Sequence, residues 1–433
     1  MKPMKKLLCS IFLLMIFSLV ACNSDGTTGG QGSEDDDTEV TLTLLLTSTQ
    51  ANAGMEAVVA EIENRFNIKT ELEIRPAGTE GDNLVKTRLA TGDMTDIMVY
   101  NSGALLDAIN PSEYFIDLSD ESFMDKLEET FLDTVTVDGK SYGIPVTTAQ
   151  AGGWLYNKNV YEELGLSVPS SWDELMANNQ VIKDAGKVPV VASFGDTWTS
   201  QLILLADYYN VHSVLPSFAD DYTHNKAKFA DTPLALRGFE KMQEIHDAGF
   251  FNDEETATSY EDAIRMVGEG TAVHYPILTQ ALPAFSKDHI NNIGVFGQPG
   301  DDAENHGLTL WMPNAVYINK DTEKFEAAKT WFEFYLSQDA QDIYMANFAP
   351  QGPSVIRGIE LPEDVYPAVK DMLVYVQEGR VEAALEFHSP LKGPNLEQIL
   401  VEVGLGMTSA ADGAENYDRD VLRQARQIGL DGW

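Results

Sequence analysis

From residue 40 onward the apolar positions switch between two periods, and the switches mark structural elements. Residues 40–46 form an almost continuous apolar run, the pattern of a strand buried on both faces. Met55, Val58, Val59, Ile62 and Phe66 then recur at helical spacing along one face. Residues 70–74 alternate polar with apolar like a half-exposed strand, residues 84–90 read as a helix, and residues 96–100 as a strand again. The order strand, helix, strand, helix, strand implies an α/β fold with a mostly parallel sheet covered by helices.

Further along, Ser171-Trp172-Asp173-Glu174 has the form of a capping box: the Ser171 hydroxyl takes the amide of Glu174, whose carboxylate reaches back. Residues 188–192 follow as a strand, and Pro189, which donates no hydrogen bond, confines it to an edge. Phe325, Ala328, Phe332, Tyr335 and Leu336 define the core face of a helix ending near Ser337. The C-terminal stretch is mainly helical, with Leu396, Ile399, Leu400 and Val403 as one stripe. No internal repeat interrupts this order.

The N-terminus follows a different logic. Lys2, Lys5 and Lys6 precede an uncharged run over residues 7–20, too short to span a bilayer comfortably. The run ends in Leu19-Val20-Ala21-Cys22, which resembles the lipobox of bacterial lipoproteins, so residues 1–21 are expected to be a signal peptide and Cys22 the lipidated residue. Cys9 would be removed with the leader, leaving Cys22 alone and no internal disulfide. Residues 22–38, rich in Gly, Ser and acids, read as a flexible tether. The remainder is long enough for two domains around a large core.

Charge narrows the partners. The chain carries a formal net charge of −39, and loss of the three leader lysines takes it to −42. Such a surface repels nucleic acid and anionic lipid, so neither is expected as a ligand, and a lipid on Cys22 is the only membrane attachment expected.

Several motifs then resemble one family. Residues 88–97, with Ala90, Gly92, Asp96 and Ile97, look like the "A-x-G-x-x-P-D-I" turn of sugar-type extracellular solute-binding proteins, with Thr95 where proline is usual. Residues 138–146 resemble their "G-K-x-Y-G-I-P" hairpin, 155–161 their "L-x-Y-N-K-D-x-F" and 169–175 their "P-x-T-W-D-E-L". Residues 263–273, 327–341 and 350–354 continue the match in order. The chain is thereby identified as a member of family 1 of these proteins, the lipoprotein component of an ABC importer. The resemblance implies a periplasmic-binding-protein-like type II fold, two lobes with mixed sheets joined by hinge strands near residues 147–152 and 308–312. It places the N-terminal lobe at 39–148 plus 312–354 and the C-terminal lobe at 149–311 plus 355–433. It also implies a monomer outside the cell or in the periplasm that delivers a mono- or oligosaccharide to ABC permease transmembrane subunits.

A sugar offers apolar faces and a rim of hydroxyls, so its site needs flat aromatics and short polar side chains. Loops at carboxyl strand ends supply candidates in the first lobe: Thr49 and Gln50, then Asn101 and Ser102. In the second lobe they are Gln150 and Trp154 at the first crossing, Asp196 and Trp198 after the Pro189 strand, His274 and Tyr275, and Trp311 at the later crossing. The loop around Trp198 lacks apolar periodicity and favours stacking; Trp154 and Trp311 read equally as core or as platform. Trp172 is read as packing, and His274 more as structural than as ligand. Relatives place Gly-x-Trp where this chain has Pro276-Ile277-Leu278-Thr279, so Tyr275 is expected to stand in for the absent ring, unless the solute is not the usual oligosaccharide.

Catalysis is not expected. The chain has no H-E-x-x-H, no G-x-S-x-G and no nucleotide-type glycine loop. Asp220-Asp221 and Asp301-Asp302 read as solvated surface among 68 acidic residues, and residues 301–305 lack the spacing of a calcium loop, so no metal and no cofactor is expected. Two alternatives stay open at this level: a receptor serving a membrane sensor kinase, and a solute that is not a sugar.

Overall fold

The computed structural model describes residues 39–76, 78–304, 306–430 and 432–433. The expected leader, lipidation site and tether lie outside these residues. Among the described residues no helix is long and apolar enough to cross a membrane.

Among the described residues, thirteen strands follow in chain order. β1 (Val40–Thr47), β2 (Ile68–Arg75) and β3 (Ile97–Tyr100) come first; a small hairpin of β4 (Thr136–Val137) and β5 (Lys140–Ser141) precedes β6 (Gly143–Pro145). Then come β7 (Gln150–Asn157), β8 (Val188–Val190), β9 (Ala272–Leu278), β10 (Ile293–Gly297), β11 (Leu308–Trp311), β12 (Ala315–Ile318) and β13 (Val381–Ala383). The first sheet has the order β2-β1-β3-β12-β6, the second β13-β11-β7-β9-β8, with β10 also on β7. β1 pairs in parallel with β2 and β3, as the alternation of strands and helices implied, while β12 returns antiparallel and makes the sheet mixed.

Local chemistry explains these elements. Leu42, Leu44, Leu45 and Leu46 are all buried, because β1 lies between two strands under helices. Asn52 caps the helix Ala53–Phe66 by accepting from the amides of Gly54 and Met55, and Asn67 ends it in the left-handed conformation. β8 is an edge strand, the position to which Pro189 restricts it. The Ser171 box is half formed: its hydroxyl accepts from Glu174 at 3.3 Å, but the Glu174 carboxylate accepts instead from the amide and hydroxyl of Ser170 at 2.8 and 2.9 Å. The even alternation read in residues 70–74 also fails: Ile74 is 56% exposed, since β2 is an edge strand with β1 as its sole neighbour.

The family motifs turn out to be pins of the scaffold. Asp96 Oδ2 accepts from the Thr43 amide at 2.9 Å and from Lys324 at 2.9 Å, and Oδ1 accepts from Thr322 at 2.7 Å. Burial alone would raise this carboxyl, but those hydrogen bonds outweigh it and hold it below its ordinary value. Thr95, standing where proline is usual, donates its buried hydroxyl to the carbonyl of Ile97 at 2.8 Å. Asn157 caps the next helix through Val160 and donates to the carbonyl of Val267 at 2.8 Å, tying the helix Tyr260–Glu269 to β7.

The chain passes from the first sheet to the second between Pro145 and Gln150 and returns between Trp311 and Ala315. A third passage follows further along the chain. Residues 355–357 still bond to the first lobe, with Glu128 N on Val355 O at 2.9 Å and Arg357 N on Lys126 O at 2.6 Å. Gln338 holds Glu360 there as well, whereas the helix Pro367–Gln377 lies on β10 of the second sheet.

Candidate functional site

The carboxyl ends of β1, β3 and β6 face those of β8, β9, β11 and β13 across a cleft of about 950 Å³. Open sheets bind at such ends, because loops there are free of pairing and backbone groups point outward. From the first lobe Thr49, Gln50, Asn101 and Ser102 line the cleft, joined by Gln150, Trp198 and Trp311 from the second.

Five of these side chains have a physical anchor given by a neighbour. Gln50 Oε1 accepts from the Thr47 amide at 2.9 Å, closing the turn after β1, and Ser102 donates to the carbonyl of Pro313 at 3.0 Å, coupling the end of β3 to a crossing segment. Gln150 opens β7 opposite Trp311 and donates to Gln351 Oε1 at 3.1 Å. The Trp311 ring lies so close to β7 that a Cβ on Gly152 would stand 2.3 Å from it, so only glycine lets the ring lie against that strand. Trp198 leans on Tyr260 with ring centroids 5.6 Å apart.

Four expected residues are placed elsewhere. Trp154 is fully buried in the second lobe, donating Nε1 to Gln298 at 2.5 Å and stacked on Phe296, because its position on β7 points away from the cleft into the core. His274 is fully buried too, 2.6 Å from the Tyr161 hydroxyl. Tyr275 is buried with its hydroxyl 2.7 Å from Ser193, so it does not replace the absent tryptophan. Asp196 does not line the cleft either: its carboxylate accepts from the Tyr260 amide at 2.7 Å and so positions the ring beside Trp198. Tyr260 is one ring that sequence reasoning missed; the capping box from Ser259 to Asp262 around it was a readable signal for its place at a helix start.

Helices and loops bring further lining groups that strand-end reasoning could not reach. Asn52 donates to the Tyr344 hydroxyl at 3.0 Å, and Phe348, Gln351 and Phe387 complete the wall. Of the described lining residues only Glu386 and Lys392 carry charge, and they pair with each other at 3.5 Å. The acidic pairs noted in the sequence lie outside the cleft: Asp301 meets Arg237 at 2.9 Å, Asp220 meets His224 at 3.0 Å, and Asp221 accepts from Ser217 at 2.9 Å. Among the described residues no cluster of His, Cys, Asp and Glu is arranged to hold a metal ion; Asn305 of the loop weighed for calcium lies outside them.

The buried His274 carries a pH prediction. Burial, opposed in part by the Pro189 carbonyl, pushes its imidazole from 6.5 down to about 3. The ring is therefore neutral in the fold and takes a proton near pH 6.5 only when unfolded. Its depressed value means stability is fully present above pH 6.5 and is lost as pH falls toward 3. The contribution should shrink by about 2 kcal/mol between about pH 7 and pH 5. Urea unfolding of the wild type and His274→Gln at both pH values measures it; parallel pH dependences in the two proteins would refute the buried neutral ring.

Residues 47–342 match the family described as bacterial extracellular solute-binding protein. The multiple sugar-binding protein of Streptococcus mutans is 25% identical over 356 residues, spanning 79% of this chain and 81% of the relative. The apo form of RafE from Streptococcus pneumoniae superposes with a TM-score of 0.76 at 20% identity, covering 90% of this chain and 100% of that one. RafE in complex with raffinose gives 0.70 at 21%, covering 88% and 99%. At such identities the two structures speak for the fold: two α/β lobes around a cleft.

Proposed function

The chain belongs to the bacterial extracellular solute-binding proteins, and from that premise we propose that it binds a neutral carbohydrate in its cleft and delivers it to an ABC importer. One observation carries the reading. In a chain of net charge −39, the cleft presents rings, amides and hydroxyls, and its two charged groups cancel as a pair. Such a lining offers flat faces for C–H surfaces and fixed donors and acceptors for hydroxyls, and nothing that would select an ion. The names of the relatives, a multiple sugar-binding protein and a raffinose-bound receptor, support the same class.

In this reading the solute touches both lobes, and its differential affinity for the closed arrangement shifts the population toward closure. The permease recognises that closed face. The protein works as a monomer outside the cell or in the periplasm, held to the membrane by a lipid on Cys22 after removal of residues 1–21, and it has no catalytic role. The first lobe runs over residues 39–148 and 312–360, with the rest of the globular chain in the second.

Calorimetry against a panel of mono- and oligosaccharides tests the reading. Trp198→Ala should weaken whichever sugar binds by about 1–3 kcal/mol, roughly 5- to 150-fold, because a half-buried ring at a binding surface is lost. Unchanged affinity removes Trp198 from the site, and no heat from any sugar removes the carbohydrate reading.

A further inference from the structure

The order of strands in the second sheet measures the cleft. Its cleft-facing ends run in the row β13-β11-β7-β9, and neighbouring strands stand about 4.8 Å apart. The lining follows this row: Phe387 comes after β13, Trp311 ends β11, Gln150 opens β7 and Leu278 ends β9, while β8 stops beside His274, four residues short of Leu278. From β13 to β9 there are three intervals, about 14 Å. A single hexose is about as wide as one interval, and each further unit of a linear glycan advances the chain by a similar length. A monosaccharide on Trp311 therefore leaves Phe387 at one end of the row and Leu278 at the other uncovered. The cleft, at about 950 Å³, is correspondingly large, near the top of the roughly 300–1,000 Å³ range of small-molecule sites.

The Phe387 end is walled. Gly103, at the end of the first lobe's β3 loop, adopts φ +70°, and a Cβ there would stand 2.6 Å from Phe387 Cα. The lobes thus meet backbone to backbone at this point, which stops a glycan from running through. Just inside the wall sit Glu386 and Lys392, 3.5 Å apart, one an acceptor and one a donor, together neutral. Charge-assisted hydrogen bonds to adjacent hydroxyls are what such a pair can make at the last sugar of a chain.

Resting on the carbohydrate reading above, we infer that the solute is an oligosaccharide of three or more units, whose terminal unit lies on Phe387 between Glu386 and Lys392. The test is calorimetry with malto-, cello-, xylo- and raffinose-series sugars of increasing length, on the wild type, Phe387→Ala and Lys392→Gln, with thermal melting to confirm that each variant folds. In the series that binds, affinity rises roughly tenfold or more from one to three units, and Phe387→Ala removes most of that gain while leaving the disaccharide within about twofold. If Phe387→Ala fails to fold, Lys392→Gln gives the same length-dependent loss. A monosaccharide that binds as tightly as its trisaccharide, or variants that weaken all lengths alike, overturns the length inference and leaves the carbohydrate reading standing. Absence of binding in every series overturns both.

Discussion

Replacing Lys241 with methionine is expected to lower the unfolding free energy by about 3–5 kcal/mol, because it strands a carboxylate inside the second lobe. Lys241 on the helix Pro233–Asp247 and Asp207 are both essentially buried, with Nζ and Oδ1 2.5 Å apart. The ammonium also donates to the carbonyl of Pro299 at 2.8 Å and sits 5.4 Å from the centre of the Trp172 ring. Without it, Asp207 keeps the Asn210 amide at 2.7 Å as a donor but has no counter-charge. The pair itself need not stabilise the fold, since two desolvated charges can cost as much as they return. The double variant Lys241→Met with Asp207→Leu should therefore recover most of the loss, and a double-mutant cycle from urea unfolding would show strong coupling. A loss below about 1 kcal/mol in the single variant would mean that water reaches Asp207, and the pair is not the buried pin described.

The same distinction between pins and cleft explains what could be read in advance. The motifs that identified the family hold the scaffold: Asp96 ties β1, β3 and the Thr322–Lys324 turn, Asn157 ties a helix to β7, and Trp172 donates to Glu244 at 2.5 Å. Residues with several simultaneous partners tolerate little change, so they keep a recognisable pattern and carry the fold with them. The cleft obeys a weaker rule. Strand-end loops placed Thr49, Gln50, Asn101, Ser102, Gln150, Trp198 and Trp311 along it. Within a strand, however, successive side chains point to opposite faces, and a stretch buried on both faces gives no sign of which is which. His274 and Tyr275 stand next to each other on β9, and both proved buried. Tyr344, Phe348 and Phe387 arrive on helices and connections far along the chain, where no local pattern separates a cleft ring from a core ring. Asp196 was a candidate for the solute and instead holds Tyr260, a role visible only once the two are 2.7 Å apart.

Trp154 and Trp198 should therefore behave as opposites under the same substitution. Trp154→Ala empties a site enclosed by Trp172 at 6.2 Å, His274 at 5.9 Å and Phe296 at 6.2 Å between ring centroids, and removing a buried tryptophan of this kind costs about 3–5 kcal/mol. It also leaves Gln298 Oε1 without the indole N–H, adding about 1–3 kcal/mol for an unpaired buried acceptor. The Gln298 main-chain carbonyl in turn accepts from Asn210, which contacts Asp207, so the damage spreads toward the Lys241 pair rather than toward the cleft. Protein that still folds should bind sugar within about 0.5 kcal/mol of the wild type, since the two sites share no partner. Trp198, only partly buried on a short 3-10 turn, loses less packing on truncation than Trp154 and should melt nearer the wild type while binding weakly. Thermal melting and calorimetry on both variants read the two effects separately. Were folded Trp154→Ala to lose as much affinity as Trp198→Ala, the tryptophan on β7 would belong to the solute site after all.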